Sequence, residues 1–203
     1  MDREIKLVET GCHGMCEMGP IVVVYPEGTF YCRVEPEDVA EIVEEHLYKG
    51  RLVQRLLYKT PVTPQGVPHY KEIPFYSKQV RIALANCGYI NPNNIEEYIA
   101  RDGYVALAKA LKEMSPEDVL QEVKTSGLRG RGGGGFPTGL KWEFCRKAAG
   151  TKKYTICNAD EGDPGAFMDR SILEGDPHAV IEGMMLGAYA MGADEGYIYC
   201  RAE

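Results

Sequence analysis

The sequence contains no long hydrophobic run. Its apolar stretches are short, such as residues 21–25, whereas a membrane-spanning helix needs about 20 predominantly apolar residues. The charged residues among residues 1–6 alternate in sign, and this stretch does not form the apolar core of a secretory signal. We therefore expect a soluble, cytoplasmic protein with no direct membrane insertion.

A surplus of basic residues is also missing. Lys and Arg total 23 against 30 Asp and Glu, which gives a formal net charge of −7 over 203 residues. Proteins that bind nucleic acids or anionic membranes need a basic face, so this balance argues against both classes. The hydrophobic share of 44% is that of an ordinary globular chain, long enough for one or two domains.

Closely spaced cysteines are scarce. Five of the seven cysteines are scattered singly, at Cys32, Cys87, Cys145, Cys157 and Cys200, and the odd total argues against a secreted disulfide framework. The remaining two, Cys12 and Cys16, flank a His-Gly-Met tripeptide. This spacing indicates metal or redox chemistry; a zinc site that includes His13 and a purely structural loop are the alternatives.

The first 50 residues predict three strands and a helix. The strands fall at residues 5–9, 21–25 and 29–34, and a Pro-Glu-Gly turn joins the last two. Pro36 opens the helix. Its predicted buried stripe is Val39, Ile42, Val43 and Leu47. His46 is expected to be solvated.

The rest of the chain predicts a connecting segment followed by an α/β domain. Residues 51–94 are rich in proline and predict a connector with one strand or short helix at 79–85. Helices are expected after caps at Asn94, Asp102 and Ser115, and near residues 178–191, where His178 is assigned to helix capping. Strands are expected at 154–157 and 197–200. This order predicts an α/β sandwich with parallel strands.

A glycine-rich segment, GLRGRGGGGFPTGLKW, occupies residues 127–142. Gly130, Gly132 and Gly135 satisfy the pattern G-x-G-x-x-G, but a helix precedes them where a dinucleotide fingerprint needs a strand. Consecutive glycines allow close backbone approach to a ligand, and a helix that opens at Pro137 favours phosphate. With the charges of Arg129, Arg131 and Lys141, the segment favours a nucleotide or flavin loop over a flexible linker.

An acidic segment, CNADEGDPG, occupies residues 157–165 at the end of a predicted strand, where open α/β sheets bind ligands. A calcium or magnesium loop is one interpretation, although the EF-hand spacing is absent; an acidic surface turn is another. A third is a site where Asn158, Asp160, Glu161 and Asp163 accept hydrogen bonds from sugar or ribityl hydroxyls and a nicotinamide amide. Its place beside the glycine-rich segment favours the third.

These two segments resemble the FMN- and NADH-binding signatures of the flavoprotein subunit of NADH dehydrogenase. The resemblance is closer to the beta subunits of soluble NAD(P)-linked, electron-bifurcating iron-only hydrogenases. Those subunits carry a ferredoxin domain, and residues 10–20 of this chain, TGCHGMCEMGP, resemble part of it. It implies an α/β fold: residues 1–50 as the second half of a thioredoxin-like 2Fe-2S domain, 51–94 as a connector, and 95–203 as an incomplete Rossmann-like FMN- and NADH-binding domain. We expect a segment of a longer subunit, truncated at both ends.

The resemblance also implies site residues. The expected FMN contacts are Gly130, Gly132, Gly133, Lys141, Asn158, Asp160 and Glu161. The expected NADH contacts are Phe136, Lys141, Phe144 and Asp163, the last at a position where the respiratory subunits usually have Glu. Hydride transfer from NAD(P)H would be flavin chemistry, so no side chain is assigned a catalytic role.

Iron–sulfur clusters and partner subunits are implied as well. Cys12 and Cys16 would supply two of the four ligands of a 2Fe-2S cluster, and a 4Fe-4S cluster belongs to the C-terminal part of the family. The implied function is electron transfer from NAD(P)H through FMN to these clusters within a hydrogenase or NADH dehydrogenase complex. The alternatives are a cofactor-free scaffold fragment of such a complex and a plain dinucleotide-binding domain.

Overall fold

A computed structural model describes residues 4–12 and 14–201. The chain divides into two compact units. One unit comprises Met1–Gly11 together with Asn86–Glu203, and the other comprises Cys12–Ala85. These divisions differ from the boundaries at residues 50 and 94 predicted from the sequence.

The unit Cys12–Ala85 contains two antiparallel hairpins. Strands β1 (Val22–Val24) and β2 (Thr29–Tyr31) form the hairpin that the sequence predicts, with Val23 opposite Phe30. Strands β3 (Tyr58–Thr60) and β4 (Thr63–Val67) form the second hairpin. The main hydrophobic cluster of this unit consists of Tyr31, Val34, Ile42, Val53, Leu56 and Leu57.

Three strand or helix predictions in the N-terminal half are wrong. Residues 5–9 form no strand: Leu7 is 88% exposed and no second strand pairs with this segment. Residues 79–85 are turns and bends, because Val80 and Ile82 are almost fully exposed and have no core to face. Residues 58–67, expected to be a connector, instead form the β3–β4 hairpin, which the Thr60 and Thr63 hydroxyls brace at 2.6 Å.

The helix predicted after Pro36 changes its winding along its length. A 3-10 turn (Pro36–Asp38) leads into α1 (Val39–Glu41) and then a π-helical stretch (Ile42–Tyr48). The wider i→i+5 turn of a π-helix changes which residues face inwards, and within this stretch Ile42 and His46 are buried while Val43 is about half exposed. Val39, on α1, is also about half exposed. The predicted stripe is therefore only partly correct, and the prediction of a solvated His46 is wrong.

His46 is buried against the hydroxyl of a β2 tyrosine. Its Nδ1 lies 2.9 Å from the Tyr31 hydroxyl oxygen, which also accepts a 3.1 Å hydrogen bond from the Val53 N–H. Burial lowers the pKa of His46 below its usual value, because it disfavours the charged imidazolium. The histidine is thus a neutral core residue that links the helical segment to the sheet.

A short helix, α2 (Pro74–Ser77), lies near the end of the unit Cys12–Ala85. The unit that includes Asn86–Glu203 then begins with four helices: α3 (Ile95–Ile99), α4 (Val105–Glu113), α5 (Pro116–Ser126) and α6 (Thr138–Lys147). Asn94 caps α3 and a Ser115–Asp118 capping box opens α5, as predicted. A cluster of Ala110, Val119 and Ala190 with Trp142 and Leu186 packs α4, α5 and α6 against a later helix.

The second half of this unit is a βαβ arrangement. Strand β5 (Tyr154–Ala159) is parallel to β6 (Glu195–Cys200), with Ile156 opposite Tyr197. Helices α7 (Met168–Gly175) and α8 (Pro177–Met191) lie between them in the chain, and α8 packs on the sheet. The parallel pair confirms the predicted α/β class; α7 was not predicted.

The prediction that Asp102 caps α4 is wrong. The helix begins two residues later, and its first-turn amides, Tyr104 N–H and Leu107 N–H, donate to the carboxylate of Glu182 on α8 at 2.9 and 3.1 Å. The capping assigned to His178 is also wrong: Asp176 caps α8 by accepting from Ala179 N–H, while His178 Nδ1 lies 2.8 Å from the Tyr104 hydroxyl.

None of the helices within residues 4–12 and 14–201 combines the length and apolar character needed to cross a membrane.

Candidate functional site

The glycine-rich loop is closed at its base by backbone hydrogen bonds. Gly127 ends α5 in the left-handed conformation, with φ 68°. Gly130 N–H then donates to the Phe136 carbonyl at 2.9 Å, and Thr138 N–H donates to the Leu128 carbonyl at 2.9 Å. Because these bonds fix both stems, the segment is a shaped loop between α5 and α6 and not a flexible linker.

The tip of the loop is open. A Cβ placed on Gly132, Gly133 or Gly134 would meet no atom within 4 Å in the described part of the chain. Gly133 and Gly135 have φ values of 93° and 58°, which only glycine adopts readily. The glycines at the tip thus allow its backbone conformation and leave its surface free of side chains. Packing against other described residues does not require glycine at these positions.

Positive charge surrounds the loop. The Arg129 Nε donates to the Gly135 carbonyl at 2.5 Å and braces the loop from within. Arg131 and Lys141 are exposed, and neither forms an ion pair with a carboxylate of residues 4–12 or 14–201. Because α6 begins at Thr138, its positive end also faces this region. The loop therefore offers amides, a helix N-terminus and free cations to an anionic ligand.

Two phenylalanines lie near each other, Phe136 just before α6 and Phe144 in its second half. Phe136 and Phe144 are 48% and 57% exposed, and their ring centroids are 6.4 Å apart at an interplanar angle of 48°. Exposed aromatic rings at this separation present faces to which a planar ligand can stack. The structure thus brings together the two aromatic residues predicted for NADH.

The acidic segment borders a cleft of about 380 Å³ at the carboxyl ends of β5 and β6. Its walls include Asp160, Glu161 and Asp163 from the segment and Arg170, Glu174 and Arg201 from elsewhere. No residue of the loop 130–135 lines this cleft. The three carboxylates predicted from the sequence therefore share one cavity, and the two arginines and Glu174 are additions that no local motif signalled.

The polar residues of the acidic segment have different surroundings. Asn158 lies on the exposed face of β5, and its Oδ1 accepts from Asp160 N–H at 3.2 Å. Asp163 is exposed. The Glu161 carboxylate instead accepts from Asp169 N–H and Arg170 N–H at 3.0 and 2.9 Å. Glu161 is therefore the one of the three acids whose oxygens are occupied by the first turn of α7.

The two close cysteines face each other in an exposed loop. Cys12 Sγ and Cys16 Sγ are 3.4 Å apart, and Gly14 N–H donates to Cys12 Sγ at 3.3 Å. The hydrogen bond between the two sulfurs and the negative charge of Cys12 both raise the pKa of Cys16, because they favour its protonated thiol. The described residues contain no group of three or more His, Cys, Asp or Glu side chains placed to hold a metal ion. His13 lies outside the described residues, so the zinc alternative rests on the sequence alone.

A parallel βαβ unit with a cleft at its strand ends, preceded in the chain by an open, cation-flanked glycine loop, defines an α/β protein; in open α/β sheets, ligands bind at that edge. The family described as the Nuo51 FMN-binding domain (Complex1_51K) matches residues 123–203. The matched segment contains both the glycine-rich loop and the acidic segment.

Curated relatives fall into two groups. The NADP-reducing hydrogenase subunit HndC of Solidesulfovibrio fructosivorans is 58% identical over 126 residues, which cover 62% of this chain and 25% of the relative. An NADH-quinone oxidoreductase subunit of Rhizobium meliloti is 52% identical over 122 residues, 60% of this chain and 29% of the relative. This chain is thus a homologue of both kinds of protein, as the motifs predict.

A third relative extends the similarity to the unit Cys12–Ala85. The NAD-reducing hydrogenase HoxS subunit alpha of Cupriavidus necator is 34% identical over 197 residues, which cover 97% of this chain and 30% of the relative. The chain therefore spans less than a third of the length of each of these relatives.

Proposed function

We propose that this chain is the FMN-binding part of a flavoprotein subunit that oxidises NAD(P)H and passes electrons to iron–sulfur clusters. The observation that carries the proposal is the open glycine loop. Its tip is free of internal contacts, its stems are fixed, and unpaired Arg131 and Lys141 flank it within the described chain. An anionic, planar ligand such as a flavin phosphate matches that surface in both shape and charge.

The residues of the loop fit FMN. Gly130, Gly132 and Gly133 present backbone to the ligand without intervening side chains, and Lys141 supplies a cation one turn into α6. Asn158 and Asp160, at the end of β5, are the proposed acceptors of hydrogen bonds from ribityl hydroxyls. When bound, FMN would supply the hydride-accepting chemistry, and these residues would bind and orient it.

The nucleotide substrate would lie beside the flavin. The exposed rings of Phe136 and Phe144 offer stacking faces, and Lys141 stands between them in the sequence. Asp163, exposed on the wall of the acidic cleft, is the proposed acceptor for the nicotinamide amide. In this arrangement the chain's side chains hold NAD(P)H in place and none of them takes part in covalent chemistry.

Cys12 and Cys16 fit half of a cluster site. Two thiols 3.4 Å apart are close enough to bind one iron, but a 2Fe-2S cluster takes four protein ligands and residues 4–12 and 14–201 place no further ligand beside them. The proposal is that they contribute two ligands of a 2Fe-2S cluster in the whole subunit. The described residues contain no group of three or more ligand side chains that would hold the 4Fe-4S cluster implied by the resemblance.

The proposed partners are other subunits of a cytoplasmic hydrogenase or NADH dehydrogenase complex. This follows from the relatives, which include subunits of an NADP-reducing hydrogenase and of an NADH-quinone oxidoreductase. No nucleic-acid partner is proposed, because the net charge is −7.

A scaffold role without cofactor is the second candidate. The observation that favours it is the outer face of the β5–β6 pair, where Ile156, Tyr197 and Tyr199 are 65%, 56% and 60% exposed. Apolar side chains grouped on one face of a sheet are typical of a surface that contacts another protein segment. This candidate predicts no flavin binding.

An anaerobic visible titration tests the two candidates. The 203-residue chain is titrated with FMN, with Gly132→Trp as the variant that fills the open tip and Val80→Trp, at an exposed residue of the other unit, as the matched control. Flavin binding by the wild type and the control but not by Gly132→Trp supports the flavin site, and bleaching on addition of NADH supports the nucleotide site. Equal absence of binding in all three proteins, and in a longer chain that includes the rest of the subunit, contradicts the flavin proposal.

A further inference from the structure

We propose that Glu161 is a positioning residue, which shapes the acidic wall of the cleft by capping α7 from a distance. The ligand part of this inference rests on the proposed function; the capping part does not. Its basis is that both carboxylate oxygens are already used: Oε1 accepts from Asp169 N–H at 3.0 Å and Oε2 accepts from Arg170 N–H at 2.9 Å.

The cap is unusual in its origin. Helix caps are normally supplied by the residue just before the helix, but α7 is preceded by Phe167, whose side chain has no hydrogen-bond acceptor. The first-turn amides of α7 are instead satisfied from eight and nine residues earlier in the chain. A carboxylate at a helix N-terminus also interacts favourably with the helix dipole. Helix α7 and the acidic segment are therefore held together by one side chain.

The backbone of Glu161 is held as well. Its φ is 50°, in the left-handed region that residues other than glycine seldom adopt. The Arg201 Nη1, which follows β6, donates to the Glu161 carbonyl at 3.2 Å. A strained conformation persists where surrounding contacts determine it. Here one contact fixes the main chain to the end of β6 and two fix the side chain to α7.

These anchors close a short loop. Residues 161 and 169 are joined both by the chain and by the side-chain hydrogen bond, and the residues between them include the cleft-lining Asp163, Pro164, Gly165 and Ala166. The position of Asp163, the proposed nicotinamide contact, therefore depends on the Glu161 cap. We infer that Glu161 acts on ligands through this loop, which revises the expectation that its carboxylate touches FMN.

Amide hydrogen exchange of the full chain without ligand tests the cap directly. In Glu161→Ala, protection of the Asp169 and Arg170 amides is expected to fall about tenfold, the usual scale of a lost cap. Glu161→Gln retains one carbonyl oxygen and is expected to lose protection at only one of the two amides. Asp163→Asn removes the same charge from the same loop and is expected to leave both amides protected. Unchanged exchange in Glu161→Ala and Glu161→Gln would overturn the proposal.

Flavin and nucleotide titrations of the same proteins separate this inference from the proposed function. Positioning predicts that Glu161→Gln retains affinity for NADH better than Glu161→Ala does, in step with the protection of α7. Weakened binding with normal α7 exchange would mean a direct ligand contact and would contradict positioning. Lost exchange protection with wild-type affinity contradicts it too. If the wild type binds neither FMN nor NADH while α7 responds as expected, the proposed function fails and the cap remains.

Discussion

The Tyr98 hydroxyl donates a 2.5 Å hydrogen bond to the Glu182 carboxylate, which also receives the N–H groups of Tyr104 and Leu107. A residue of α8 thus supplies the cap of α4 and anchors a buried tyrosine of α3. Burial and the adjacent Glu182 carboxylate raise the pKa of Tyr98 well above its usual value, so the phenol stays protonated as the donor. This three-helix junction stabilises the helical layer that precedes the glycine loop.

Glu182→Ala is expected to lower the free energy of unfolding by about 2–4 kcal/mol, because it removes a cap and leaves buried donors unpaired. Tyr98→Phe removes one donor and is expected to cost about 1–3 kcal/mol. Glu122→Ala, on the exposed face of α5, is the control and should change stability by less than about 0.5 kcal/mol. Urea denaturation followed by circular dichroism measures all three. Equal stabilities for Glu182→Ala and the control would contradict the junction.

The ion pairs of Glu143 predict a pH dependence. Its carboxylate lies 2.9 Å from Lys124 on α5 and 2.8 Å from Lys147 on α6, and these two cations lower its pKa from 4.5 to about 2. Since the folded pKa is below the unfolded value, the contribution of Glu143 is present above pH 4.5 and is lost as the pH falls towards 2.

The measurement is the difference in thermal midpoint between wild type and Glu143→Gln across pH 2 to 7. It is expected to be positive at neutral pH, to shrink below pH 4.5, and to shrink at high salt, which screens exposed charges. A difference that is constant with pH would show that the pairs do not stabilise the α5–α6 brace.

The buried contact between Tyr31 and His46 gives a second stability prediction. Tyr31→Phe removes the acceptor of Val53 N–H and the partner of His46 Nδ1, so it is expected to cost about 1–3 kcal/mol. Tyr48→Phe, at a tyrosine that is 77% exposed in the same unit, is the matched control and should be close to neutral. Chemical denaturation monitored by tyrosine fluorescence tests the pair, and equal midpoints for the two variants would refute it.

Single alanine substitutions separate shape from contact in the glycine loop. Gly132→Ala adds a methyl group to open space at a residue without a positive φ, whereas Gly133→Ala imposes strain at φ 93°. Gly132→Ala is expected to leave the thermal midpoint unchanged and to weaken FMN binding at least tenfold, because the methyl group enters the proposed flavin face. Gly133→Ala is expected to affect both by strain, at about 1 kcal/mol or more. FMN fluorescence titrations and thermal melts measure the two effects. Unimpaired FMN binding by Gly132→Ala would contradict a flavin site at the tip of the loop.

Features governed by neighbouring residues could be predicted from the sequence. The capping box at Ser115 and Asp118, the α8 helix and the parallel β5–β6 pair all follow from local patterns. Helix α7 could not be predicted, because its cap acceptor, Glu161, lies eight residues before Asp169, whose N–H it accepts. The same holds for α4, whose cap acceptor Glu182 lies on another helix. The prediction for His46 fails because a π-helical turn changes which residues face inwards.

The candidate site likewise has parts that the sequence predicts from contiguous motifs and parts that depend on the fold. Both loops are recognisable because glycine runs and acidic runs are contiguous motifs, and the structure brings Asp160, Glu161 and Asp163 to one cleft. Arg170 and Arg201, which share that cleft, belong to no motif and needed the fold to place them. The different roles of the acids also depend on the fold, since only hydrogen-bond geometry distinguishes Glu161 from Asp163.

The two backbone hydrogen bonds at the base of the glycine loop, from Gly130 to Phe136 and from Thr138 to Leu128, have a thermodynamic consequence. Glycine has more conformational entropy to lose on ordering than any other residue. Ordering an unconstrained run of four glycines, residues 132–135, on ligand binding would therefore cost free energy. Since the stems already confine the run, most of that entropy is lost when the chain folds. A ligand that binds at the tip therefore orders a loop whose conformational entropy is already reduced. The entropic cost of binding is smaller, and the affinity is higher, than for an unconstrained glycine run.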